Sequence, residues 1–522
     1  MRSNIRFRVL ALLAASLGFA APAAAQGDLH FRLLDEPESL YNVQLMAATA
    51  NGIIGTYLTE RLVYFDANGK PQPWLAESWT ISPDQTEITF KLRPGVKFTD
   101  GAPFDAEAVK FQFTQIIDPQ VASPVKSMIG PMKAVEVVDP LTVKFVFERP
   151  FAPFFGNLAQ ASIGFNSPAA VQKYGKAYGR NPVGSGPYKL KSWAQGAEII
   201  LERNPHYHQY RGDALNKDAP IAPTITLTLI PEEAVAMAAL EKGELTSALL
   251  VGDSIDKEAN NPKLKLVVNK RATNIMFLEF NQNHAPFDDM AFRKAIGYAM
   301  DRASIAIAAF GSVGAPAYSP LAPGIPGYSQ EVNDMDGTPF DLAKAKSVMA
   351  EDGWKPGPDG VLQKNGKQAS FKFKTYAGFA YVERAMAVLQ NNLTDLGIRT
   401  DIETADWGTF YPGLTKGDWD IALIRWGWHD AGVLSNLFRS PGHRKSLKAD
   451  AEVDAVLDRC NTLVDADQRN GCVADAQKLI LRDAIITPLV TNYTVVAMQP
   501  NVQDYTLDFY GYLIPGDVRM PK

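Results

Sequence analysis

The text between Leu62 and Asp105 constrains the fold more than any other part of this chain. It opens with Leu62-Val-Tyr-Phe-Asp-Ala-Asn-Gly-Lys-Pro71, where Asp66-Ala-Asn-Gly69 is a hairpin turn signal. Ile88, Phe90 and Leu92 then alternate with Thr89, Lys91 and Arg93, the pattern of a half-buried strand. Asp105 stands where it can cap a helix beginning at Ala106-Glu107. Farther on, Asp139-Pro140 turns the chain into a second alternating run, Leu141, Val143, Phe145 and Phe147. Residues from about 60 to 180 therefore read as a small α+β unit.

That unit is a fraction of a chain of 522 residues, long enough for two or three domains. The first residues are set apart. Arg2, Arg6 and Arg8 form a basic start, 9–21 is apolar, and Ala23-Ala24-Ala25 suits a signal peptidase. The expectation is a secretory signal peptide over 1–25, cut after Ala25. Its apolar run is shorter than the roughly 20 residues that span a bilayer. No Cys lies near the cleavage site to take a lipid, so the mature chain is expected free in the periplasm. Losing three arginines takes the net charge from −5 to −8. A mildly acidic chain argues against nucleic acid or an anionic membrane as partner.

A second stretch carries most of the candidate chemistry: Asp418-Trp-Asp-Ile-Ala-Leu-Ile-Arg-Trp-Gly-Trp-His-Asp430. Its apolar run, Ile421 to Ile424, reads as a buried strand. It ends in Arg425, Trp426, Trp428, His429 and Asp430: a cation, two indoles, an imidazole and a carboxylate. Such a strand can carry this cluster to the edge of a cleft. The plainer reading makes the indoles core and pairs Arg425 with Asp430 at the surface. The only cysteines, Cys460 and Cys472, flank 464–469 almost symmetrically. If that segment joins two antiparallel helices, a disulfide is in reach; the alternative is two buried thiols. No Gly-x-Ser-x-Gly elbow, phosphate-binding Gly-Lys-Ser/Thr loop or His-Glu-x-x-His helix is present. His206 and His208 make a poor metal pair. No catalytic residue, metal site or cofactor is expected.

Several motifs together resemble the family 5 solute-binding proteins of ABC importers, the peptide- and nickel-binding group. They are Trp74-Leu-Ala-Glu-Ser-Trp79, Leu92-Arg-Pro-Gly-Val-Lys-Phe-Thr-Asp-Gly101, Pro182-Val-Gly-Ser-Gly-Pro-Tyr-Lys-Leu190 with Glu202-Arg-Asn-Pro205, and Pro286-Phe-Asp-Asp-Met-Ala-Phe-Arg-Lys-Ala-Ile296 with Met300-Asp-Arg302. The resemblance implies an α/β, periplasmic-binding-protein-like two-lobed fold of the large three-part (class II, peptide-binder) type. Lobe 1 would comprise 28–60, 183–271 and 490–522, with 61–182 an inserted subdomain. Lobe 2 would span 272–489, and the ligand would lie between the lobes. Helices are expected over 49–62, 232–242, 341–349 and 382–396. The proline-rich loop 311–327 is expected at the surface, where it can wall the cleft.

The site expected on this basis is Trp407, Trp426 and Trp428 as aromatic faces, Arg425 for a ligand carboxylate and Asp430 for an ammonium, with Tyr376 and Phe379 as further aromatic candidates. In the peptide binders the anchoring acid falls three residues after the Trp of Gly-Trp-x-Ala-Asp-Tyr. Here His429 holds that place after Trp426, and Arg425 replaces the Gly. The ligand expected is a peptide or a peptide-like conjugate such as an opine or a glutathione-like compound. The alternatives are an oligosaccharide or a nickel chelate ligated by His429. The resemblance also implies delivery to a permease and ATPase complex at the inner membrane by a monomer that changes no bonds.

Overall fold

Ile88, Phe90 and Leu92 point inward from strand Glu87–Leu92, as their alternation predicts. In this computed structural model, which describes residues 27–44, 48–250, 254–335, 337–440 and 446–521, that strand is central to a four-stranded antiparallel sheet. The strand order is Ala76–Ile81, Glu87–Leu92, Thr142–Phe147, Met132–Asp139. Helix Ala106–Ile117 packs on it, with Phe113 edge-on to Phe145 at 4.8 Å. Asp105 accepts from the Ala108 amide at 2.9 Å and caps the helix. The Asp66–Gly69 turn joins strands Val63–Phe65 and Pro71–Pro73, with Gly69 at φ +72°. The expected signal peptide lies outside the described residues.

Two larger sheets flank a shared space. The seven-stranded sheet draws its strands from separate parts of the chain, in the order Lys265–Asn269, Thr494–Met498, Ser247–Leu250, Leu29–Leu33, Thr224–Leu229, Glu198–Arg203, Tyr188–Ala194. The six-stranded sheet runs Gly314–Pro316, Ile486–Asn492, Asn274–Phe280, Ile421–Gly427, Ser370–Tyr376, Arg399–Ala405. The chain passes between them twice, at 270–273 and at Tyr493. Ile421 to Ile424 are fully buried, so both faces of the six-stranded sheet are covered along this strand. No helix among the described residues is long and apolar enough to cross a membrane.

Most local signals match the elements formed. Asp341 caps helix Leu342–Glu351, and Gly397 ends helix Ala380–Leu396 in the left-handed region. Helices Ala451–Thr462 and Ala466–Arg482 form a hairpin closed by a Cys460–Cys472 disulfide, with Cα atoms 5.5 Å apart.

Two expectations need correction. The helix expected over 49–62 stops early. Helix Ala48–Ile53 widens into a π-turn over Ile54–Leu58, and Thr59 donates to the Ile54 carbonyl through both its amide and its hydroxyl. That releases Glu60 and Arg61 from the helix. The loop 311–327 is not simply a surface loop. Gly314–Pro316 joins the six-stranded sheet as an edge strand, where Pro316 sits without breaking the ladder. Ala317, Leu321, Ala322 and Ile325 are buried.

Candidate functional site

Strands Leu29–Leu33 and Ser247–Leu250 run parallel in one sheet, and Ser370–Tyr376 and Ile421–Gly427 run parallel in the other. Near their carboxyl ends lies a cavity of about 640 Å³, within the usual range of about 300–1,000 Å³ for small-molecule sites. Such strand ends are where open α/β sheets generally receive ligands. One wall is Leu34, Leu249 and Ile255; the other is Phe310, Val313, Phe379 and Tyr381.

Arg425 enters this cavity from the second wall. Its guanidinium lies 5.2 Å from the Tyr381 ring centre and 5.7 Å from that of Phe310. Asn492 Oδ1 accepts from Arg425 Nη2 at 3.0 Å, and Asn492 Nδ2 donates to the Tyr493 carbonyl. The guanidinium is thus oriented, yet it pairs with no carboxylate among the described residues. Arg384, close by, is spent differently. It donates to the carbonyls of Ala308 and Ala309 at the end of helix Arg302–Phe310. Tyr376 lies beneath the site, 3% exposed, and burial pushes its hydroxyl far above the ordinary range.

The expected aromatic faces lie elsewhere. Trp407, Tyr411, Trp426 and Trp428 form a run of near-parallel rings. Successive centroids are 5.6, 5.8 and 6.2 Å apart, and successive planes tilt by 19°, 26° and 20°. These rings spend inner faces on one another, and none of the three indoles lines the cavity. Trp407 ends the run at 42% exposure. The rings that do meet the cavity are Phe310, Phe379, Tyr381 and Tyr493. Of these, residue-level reading singled out only Phe379. The others sit at element ends contributed by distant stretches, and the carboxyl ends of the predicted strands were the signal available for them.

Asp430 also departs from expectation. It is 1% exposed and has a partner of its own. Arg469, on helix Ala466–Arg482, donates to both its oxygens at 2.7 and 2.6 Å, and the Gly432 amide donates to Oδ1 at 2.7 Å. A methyl at Gly156 would stand 2.7 Å from Asp430 Oδ2, so only glycine allows this approach. The carboxylate is not presented to a ligand ammonium here. His429 is placed beside it, edge-on to Tyr510 at 4.6 Å. Burial pulls its imidazole down to about 4, against an upward pull from Asp508. Among the described residues no group of three or more His, Cys, Asp or Glu could hold a metal.

The seven-stranded side holds a charge cluster that sequence reasoning missed. Arg61 and Arg211 both lie over the Trp74 indole, at 4.4 and 4.8 Å. Arg211 pairs with Asp508 at 3.2 Å and with Asp213 at 2.8 Å. Burial raises Glu60 to about 8, despite the hydrogen bond its Oε1 accepts from Trp74 Nε1 at 3.0 Å. Glu60 is therefore largely neutral at pH 7. The opposed charges of this cluster leave it structural.

Comparison with known proteins agrees with this architecture. The chain is 28% identical to the glutathione-binding protein GsiB of Salmonella paratyphi A, over 97% of each chain. It superposes with a TM-score of 0.82 on NikA from Brucella suis in complex with Fe(III)-EDTA, at 24% identity over 95% of this chain and 100% of that one. The corresponding score is 0.75 for AgaA from A. tumefaciens R10 with agropinic acid, at 24% identity over 95% and 99%. Residues 70–445 match the family model for the middle region of bacterial extracellular solute-binding proteins, family 5. With the two-sheet frame and the motifs that build it, this means that the chain belongs to the family 5 bacterial extracellular solute-binding proteins.

Proposed function

We propose that this protein captures a small peptide or a peptide-like amino-acid conjugate, of the opine or glutathione kind, and hands it to an ABC importer. The observation that carries the reading is Arg425: an oriented cation without a carboxylate partner among the described residues, facing a cavity walled from both sheets. Such a fork suits the two oxygens of a ligand carboxylate. The relative GsiB, a glutathione-binding protein, supports the same ligand class.

In this reading 28–60, 183–271 and 490–522 form the first lobe, with 61–182 inserted in it, and 272–489 form the second. The two passages of the chain between the sheets act as the hinge, and ligand shifts the population towards closure by bridging both walls. The mature protein is a periplasmic monomer, cut after Ala25 and not lipid-anchored. Its closed form docks on a permease and ATPase complex at the inner membrane.

A thermal-shift screen tests the ligand class. Di- and tripeptides, glutathione or opines should raise the melting temperature, as linkage requires. If these give no shift while oligosaccharides or nickel with free histidine do, the reading is overturned. Small-angle scattering should show compaction with the ligand, and identical profiles with and without it would remove the hinge.

A further inference from the structure

We propose that the Arg425 cavity selects a ligand whose carboxylate is flanked by a large apolar group, such as a peptide ending in leucine or phenylalanine. This rests on the peptide-capture reading and narrows it.

The geometry points this way from two sides. Arg425 is held by Asn492, and its guanidinium lies near the rings of Tyr381 and Phe310. Rings beside the guanidinium favour an approach along its edge, where two parallel N–H groups meet a carboxylate. Around that edge much of the lining is apolar, with Glu233 and Arg384 also reaching the cavity. Leu34 is 39% exposed, Leu249 36% and Phe379 44%, and all three face this one cavity. Single exposed apolar side chains are ordinary. Three on facing walls of one concave site, backed by Ile255 and Val313, form a built apolar surface.

The selection follows from what each ligand would leave behind. An apolar group beside the carboxylate displaces water from Leu34, Leu249 and Phe379 together, and so joins the two walls. A second charge set against these three side chains would lose water to hydrocarbon. The carboxylate fixes the ligand's orientation, and the apolar walls discriminate what is attached to it.

The test is calorimetric titration of the mature protein with glycyl-leucine, glycyl-glutamate, glycyl-leucinamide and glutathione. Glycyl-leucine should bind about tenfold or more tighter than glycyl-glutamate. Blocking its carboxylate as the amide should cost about 30-fold or more. Leu249→Ser should shrink the leucine preference by weakening glycyl-leucine more than glycyl-glutamate. The amide comparison needs no variant, so a misfolded mutant leaves the test intact. Equal or tighter binding of glycyl-glutamate or glutathione would overturn the inference and leave peptide capture standing. If none of the four binds, the inference and the peptide-capture reading fall together.

Discussion

Arg425 and Asp430 stand five residues apart at the end of one strand, and the fold treats their charges in opposite ways. Arg425 faces an open cavity, held by an amide oxygen and flanked by aromatic rings. Asp430 is sealed against Arg469 and the Gly156 backbone. The pair shows that a charged residue type signals only a capacity. Whether it binds a ligand or holds the protein together depends on whether the rest of the chain brings it a counter-ion.

The sharpest way to break this contrast is to remove the sealed charge. Asp430→Ala leaves Arg469 unpaired where its side chain is 12% exposed, and should cost about 3–5 kcal/mol in chemical denaturation. A loss below about 0.5 kcal/mol would mean that Asp430 is not structural. The disulfide ties down the helix that carries Arg469. Its closed loop is short, with the cysteines 12 residues apart, so Cys460→Ser with Cys472→Ser should cost about 2–3 kcal/mol. Arg425→Gln should do the reverse of Asp430→Ala. Affinity for a carboxylate ligand should fall by about 2 kcal/mol of binding energy, with unfolding midpoints almost unchanged. An Arg425 variant that unfolds easily and binds normally would invert the comparison.

The smallest expected effect is pH dependence beside the sealed charge. His429 titrates near 4 when folded and near its ordinary 6.5 when unfolded. Between these values the unfolded chain holds more protons, so stability falls as pH drops from 6.5 towards 4. After allowance for its partial exposure the loss should be about 1–2 kcal/mol. His429→Gln should flatten that limb in a denaturation series. Glu60, raised to about 8, has the opposite sign. Its folded form holds the extra proton, so stability declines as pH rises from about 4.5 towards 8, and Glu60→Gln should remove that slope.

Features whose causes lie within a few residues were legible beforehand. The Asp66–Gly69 turn, the Asp105 and Asp341 caps and the Gly397 terminus each rest on a side chain acting on its own neighbourhood. The site was legible only in part. Arg425 could be named because a cation at the end of a buried strand is visible in the text. The three tryptophans were named as aromatic faces for a ligand, but their faces go to one another and to Tyr411. Nothing near Asp430 announces Arg469, which lies 39 residues on. Leu34 and Leu249 lie far apart in the chain and become one wall only because their strands pair in parallel.

By itself the amino-acid order determined most of the segments that become strands and helices, and to which family the whole belongs. Periodicity, caps and turns are short-range forces written in neighbouring residues. Tertiary structure alone decided which charge is free, which is neutralised and which apolar side chains face a shared cavity. Those outcomes depend on desolvation and on partners met across folded distance, and a partner far along the chain leaves no local mark.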